Sequence, residues 1–177
     1  MRKIGVVVDF ENAIKLFAFL FEKKALEASI NQKDVISFLK CYRQLEGMFP
    51  SDFLTIIRTT KWLHTSVGGF RCPRNCILNG PEWESISSIT RLPFIDYSDK
   101  CYGYKKELKS IGVVTELKDG LKFVSDCLNF PSDPSTISPQ SVFSLLECIQ
   151  LLMQENDFGL EYAFRERLSR NWLKTHA

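Results

Sequence analysis

The chain has 177 residues, 45% of them apolar and 25% charged, the balance of a soluble globular chain and not of a disordered, collagenous or membrane-embedded one. Twenty-three Lys and Arg against 21 Asp and Glu leave a formal charge of +2, too weak a field to select nucleic acid or anionic lipid by itself. The length allows one domain, or one domain with part of another.

Met1-Arg2-Lys3 followed by Ile4 to Val8 begins like a signal peptide, but Asp9 and Glu11 interrupt the apolar run before an h-region or cleavage site forms. Ile14 to Phe21 carries Lys15 and is followed by Lys23-Lys24, which leaves it far short of the roughly 20 apolar residues that cross a bilayer. Cysteines stand at 41, 72, 76, 101, 127 and 148 without regular spacing, a pattern of reduced thiols rather than a disulfide framework. The expected location is intracellular, cytoplasmic or nuclear, and not secreted.

The chain resembles itself at a shift of 107 residues. Ile4-Gly5-Val6-Val7 returns as Ile111-Gly112-Val113-Val114, Lys15 meets Lys122, and Ile30 meets Ile137. Val35, Ser37, Leu39 and Cys41 return as Val142, Ser144, Leu146 and Cys148. About ten identities in about 38 ungapped positions exceed what composition alone produces. At a shift of 110, Trp62-Leu63-His64-Thr65 recurs as Trp172-Leu173-Lys174-Thr175. The unit is therefore about 107–110 residues, a small domain rather than a short solenoid repeat. Residues 1–58 read as the C-terminal part of one unit, 59–170 as most of a second, and 171–177 as the start of a truncated third. The chain is thus expected to be a fragment of a longer repeat protein.

Taken in chain order, Asn12 reads as an N-cap, matched by Asp119 in the second copy. Val35, Phe38, Leu39, Tyr42 and Leu45 follow helical spacing behind the N-cap Asn31, and Val142, Leu145, Leu146, Ile149, Leu152 and Met153 do so behind Ser138-Pro139. Cys41 and Cys148 fall on the apolar faces. Pro50 to about Arg58 is a further helix, matched by one from about 158 to 170. Between Lys61 and Gly103, glycines and prolines predict short strands and loops around Trp62, Phe70, Ile77-Leu78, Trp83 and Leu92 to Ile95. Tyr104 to Ile111 predicts a short helix closed by Gly112, followed by a strand from Val113 to Leu117. Asp119-Gly120 is a hairpin signal, but Ala13 stands where the other copy has Gly120, so a helix from about 120 to 128 is the better reading. Phe130-Pro131 to Ser135 is a loop. The fold class is α+β, helix-rich, in tandem units, with a strand-and-loop part at 59–103, a helix–strand–helix part at 104–128 and a helical part at 138–170.

Chemistry is sparse. Neither Walker nor dinucleotide glycine spacing occurs. Cys72 and Cys76, with Cys101 and His64 as partners, are weak zinc candidates, because three residues separate the pair and no second pair follows. Asp96 and Asp99 lie in a loop where aspartates ordinarily turn the backbone. A Cys nucleophile has only His64 and His176 as bases. Arg58, Lys61, Arg71 and Arg74 lie near Trp62, Phe70 and Trp83, the interleaving that single-stranded nucleic acid asks for, though without a basic run. The catalytic and cofactor-binding sets are empty, and no cofactor is expected.

Cys76-Ile77-Leu78 with Pro73 before and Trp83 after, Leu92-Pro93-Phe94-Ile95-Asp96, Cys101-Tyr102-Gly103, Tyr104-Lys105-Lys106-Glu107-Leu108-Lys109, Ile111-Gly112-Val113-Val114 and Leu145-Leu146-Glu147-Cys148-Ile149 resemble the repeated region of the large plant proteins of the NO VEIN type. Those are sacsin-like proteins that carry a histidine-kinase and Hsp90-like ATPase module elsewhere. The resemblance implies a segment outside that module, whose Asp-x-Gly-x-Gly motif has no match here. It departs from the family between Gly103 and Tyr104, where the family has a few more residues. The expected function is a non-enzymatic scaffold segment of a large chaperone-like protein. Its partners would be neighbouring repeat units or other proteins, with self-association through uncovered unit ends. The alternatives are a nucleic-acid-binding module over 58–74, nucleic acid being the weaker partner, and a zinc-stabilised domain.

Overall fold

The computed structural model describes residues 10–45, 47–84, 86–87, 90–128, 137–155, 162 and 165–166. The architecture is helix-rich α+β with a small two-stranded sheet. The first Ile-Gly-Val-Val, the loop through Ser135, the second Trp-Leu-x-Thr and residues 171–177 lie outside the described residues. Of the helix expected at 158–170, only Tyr162, Arg165 and Glu166 are described, all helical.

Helix α1 (Phe10–Leu26) buries Ile14, Ala18, Phe21 and Ala25, a stripe at helical spacing. It begins two residues before Asn12, so Asn12 lies within the helix and does not cap it. α1 closes with Ser29 N–H donating to Lys24 O at 3.0 Å and Ala28 N–H to Ala25 O at 3.2 Å. This is a Schellman closure with Ala28 at φ +50°, where glycine is usual.

α2 (Gln32–Gln44) starts at a full capping box: Asn31 accepts from the Lys33 and Asp34 amides, and Asp34 accepts from the Asn31 amide. It buries Val35, Phe38, Leu39 and Tyr42. α3 (Ser51–Thr59) buries Phe53 and Ile57, and α1, α2 and α3 meet over an aromatic cluster. In it Phe21 stacks on Phe38 at 4.7 Å between centroids, and Trp62 meets Phe38 edge-on at 5.7 Å.

The strand-and-loop part forms a wall. β1 (Leu63–His64) pairs antiparallel with β2 (Phe70–Arg71). On its other side Thr65 bridges Ile95, Ile77 bridges Phe94, and Ile77 also bridges Val114. Leu78 N–H donates to Val114 O and Ile95 N–H to Ile77 O, so three short segments run side by side without the length of formal strands. Extended backbone alternates its side chains: Cys76, Leu78, Ile95 and Val113 join the core under α1–α3, whereas Ile77, Phe94 and Val114 face a second core. That second core holds Trp83, Ile86, Leu92, Leu121, Val124, Leu145 and Cys148.

The expected short helix is α5 (Lys105–Ser110), entered from α4 (Ser98–Cys101) through a 3-10 turn. Gly112, at φ +101°, closes it: Val113 N–H donates to Leu108 O and Gly112 N–H to Lys109 O. The expected strand at 113–117 is reduced to one bridge at Val114. A 3-10 turn (Leu117–Gly120) then leads into α6 (Leu121–Cys127), matching the helix chosen over a hairpin. Asp119 caps nothing there; it pairs with Lys109 Nζ at 3.1 Å. Gly120 has an ordinary negative φ but a different need: a Cβ there would stand 2.5 Å from Trp83.

α7 (Pro139–Glu155) begins where expected, and Ser138 Oγ accepts from the Ser141 amide at 3.1 Å. Ile57, Trp62 and Leu63, on either side of residues 58 and 59, lie in one continuous core.

Candidate functional site

The basic and aromatic residues between Arg58 and Trp83 that the sequence brings into proximity divide in two. Trp62 and Trp83 are fully buried and leave the surface. Trp62 donates its indole N–H to Ile57 O at 2.7 Å, and Trp83 sits edge-on to Phe94 over Gly120. Their size explains the correction, since an indole among short strands is the natural plug between helices and wall. Phe70 is half-buried, edge-on to the His64 ring at 5.2 Å. Arg58, Lys61, Arg71 and Arg74 are exposed.

These four cations occupy one corner. Arg58, in the last turn of α3, donates from Nη2 to Ser110 O at 3.2 Å. Lys61 leads into β1, where Trp62 N–H donates to Arg71 O at 3.2 Å. Arg74 lies in the 3-10 turn Pro73–Asn75, its backbone 3.8 Å from where a Cβ on Gly112 would stand. Ser110 and Gly112 belong to the same helix end, so Arg58 and Arg74 flank one turn. Among the described residues, none of the four has a carboxylate within ion-pair distance.

A cleft beside α5 shows the opposite arrangement. It encloses about 600 Å³ between Arg43, Tyr102, Gly103 and α5. Arg43 grips Glu107 with Nε at 2.6 Å and Nη2 at 2.9 Å and lies 4.3 Å over the Tyr104 ring. Lys105 pairs with Glu82, and Lys109 with Glu116 and Asp119. The Arg43 fork holds the Glu107 carboxyl below the usual range, and Lys109 does the same for Glu116. Charges that satisfy one another leave little to grip a ligand.

Cys72 and Cys76 are both buried, and the Cys76 thiol donates to Cys72 O at 3.4 Å. Burial pushes the Cys76 thiol up to about 12, and it does the same for Cys101, the reverse of what a thiolate ligand needs. Among the described residues no three His, Cys, Asp or Glu side chains converge on a common point, so the zinc candidates lack a third ligand there. All six cysteines are free thiols. Cys148 is fully buried, while Cys41 is half-buried at the margin of its core.

His64 Nδ1 forms a short hydrogen bond to Asp96 Oδ2, with both side chains partly exposed. Asp99 lies in the first turn of α4 and does not join that pair. The pair ties β1 to the segment at Asp96, and among the described residues no hydroxyl or thiol is hydrogen-bonded to the imidazole.

The residues that sequence reasoning missed are apolar. α1 exposes Leu16, Phe19, Leu20 and Leu26, with Phe19 at 62% and Leu26 at 67%. α7 exposes Phe143 at 70% and Leu146 at 55%. The excess of apolar residues around α1, beyond one stripe, was the available signal. No described helix is long and apolar enough to cross a membrane. Comparison of the chain with protein-family models, with curated proteins and with solved structures finds no match.

Proposed function

We propose that this chain is a non-catalytic scaffold segment that works by protein contact. The observation that carries this reading is the second apolar face of α1, where Leu16, Phe19, Leu20 and Leu26 stand in solvent opposite the stripe that the core buries. A helix that is apolar on two sides asks for cover on two sides. Phe143 and Leu146 on α7 make the same demand elsewhere.

Tandem organisation fits these faces, since repeat units bury them on their neighbours. Its support is that α2 and α7 begin 107 residues apart, at Gln32 and Pro139, each behind a side-chain cap. The resemblance to the NO VEIN-type repeat region adds a chaperone-like, intracellular setting by analogy, and free cysteines agree with it.

The test is the association state by light scattering and sedimentation across a concentration series. Self-association or capture of an added neighbouring unit is expected, weakened by Leu16→Glu with Phe19→Glu while the circular dichroism spectrum stays unchanged. A strictly monomeric chain that binds no adjacent unit and whose solubility is indifferent to those substitutions ends the proposal.

A further inference from the structure

We infer that the corner of Arg58, Lys61, Arg71 and Arg74 is a docking site for an extended acidic segment of a partner protein. The inference starts from charge distribution. The chain carries +2 overall, and four exposed cations stand together at this corner. Several cations elsewhere are neutralised in place: Lys24 by Asp34, Arg43 by Glu107, Lys105 by Glu82, Lys109 and Lys118 by Glu116. At this corner no described carboxylate is close enough to do so. Repulsion among clustered cations is unfavourable in the free protein, and an anionic ligand relieves it.

The choice of ligand follows from what surrounds the charges. Single-stranded nucleic acid binds by stacking bases on exposed aromatic faces between phosphate contacts. Here Trp62 and Trp83 are inside, and Phe70 is half-buried with its ring set edge-on to His64. The stacking half of that site is missing. A polypeptide needs no such platform, and the backbone offers it an edge: among the described residues β2 has β1 on one side and no partner on the other. An extended chain adding to that edge passes Arg71, with Lys61 and Arg74 beside it and Arg58 beyond. Guanidinium forks suit carboxylates at such a site.

This inference shares with the scaffold reading only that the partner is a protein. It uses a different surface, so each fails separately. The probe is a fluorescein-labelled Glu-rich dodecapeptide, followed by anisotropy at low and moderate salt, with an oligothymidylate of equal formal charge as competitor. Arg71→Glu with Arg74→Glu, and separately Arg58→Glu with Lys61→Glu, should each weaken peptide binding by about tenfold or more. Lys33→Glu with Lys40→Glu, on the exposed face of α2, should leave it within about twofold, as should Leu16→Glu with Phe19→Glu. Circular dichroism checks that each variant is folded. The inference is overturned if the dodecapeptide does not bind, if the α2 reversals weaken it as much as the corner reversals, or if the oligothymidylate binds more tightly through the same four residues.

Discussion

Helices α2 and α7 carry related sequences 107 residues apart and begin at equivalent positions, Gln32 and Pro139, behind Asn31 and Ser138. They do not bury the same face. α2 hides Val35, Phe38, Leu39 and Tyr42, whereas α7 hides Ser141, Ser144, Leu145 and Cys148 and leaves Leu146, the counterpart of Leu39, 55% exposed. The cap and the apolar spacing set where each helix starts and that it is helical. Which side turns inward depends on what lies across from it. α2 faces an aromatic cluster that accepts bulky side chains; α7 packs on Leu121, Val124 and Trp83, where serines and a cysteine fit.

Paired substitutions test this contrast. Leu39→Ala should show the largest effect, a loss of about 2–5 kcal/mol from emptying a fully buried site, whereas Leu146→Ala should stay within about 0.5 kcal/mol. Urea unfolding midpoints measure both, and equal costs would mean that the two helices pack alike. Next come Gly120 and its counterpart Ala13. Gly120→Ala drives a Cβ into Trp83 and should cost about 1–3 kcal/mol. Ala13→Gly, on the exposed side of α1, should cost up to about 1 kcal/mol through helix propensity alone.

Helix ends provide a smaller pair. Ala28 and Gly112 occupy the same left-handed closing position in α1 and α5. Ala28→Gly should stabilise and Gly112→Ala destabilise, each by about 1 kcal/mol; thermal melts of the same sign for both would refute this assignment. Smaller again is the pH dependence of the Arg43–Glu107 pair. The Glu107 carboxyl titrates lower in the folded than in the unfolded chain. Its contribution is therefore complete above the unfolded value of about 4.3 and is lost as the pH falls through the folded one. The stability gap between the native chain and Arg43→Ala should shrink on acidification, and a gap independent of pH would remove the pair from the acid limb. Finally, native alkylation at neutral pH should label Cys41 and Cys127 before Cys76, Cys101 and Cys148, whose thiols burial pushes up to about 12. Early labelling of Cys76 would contradict its burial.

The legible parts of the fold were those written in local chemistry. The Asn31 and Ser138 caps, the Gly112 closure and the stripe of α2 each involve residues within about one helical turn. The misread parts depended on distant partners. Asp119 is a good capping residue by type, yet Lys109, ten residues back on a different element, captures it first. Trp62 and Trp83 are amphipathic by type, and their chain neighbours do not reveal that helices cover one and α6 the other. The basic corner was half legible: residue types and proximity along the chain marked Arg58, Arg71 and Arg74, but not that their aromatic neighbours turn away from them.

By itself, the sequence determined most of the helices, the caps of α2 and α7 and the irregular middle, because these depend on backbone propensity and apolar period over short distances. Tertiary structure alone decided which face of each helix is hidden, that one core runs across residues 58 and 59, that Gly120 makes room for Trp83, and that no described carboxylate pairs with the four cations of the corner. Burial and charge pairing are properties of what arrives from elsewhere in the chain, and a side chain's type fixes only what it can tolerate.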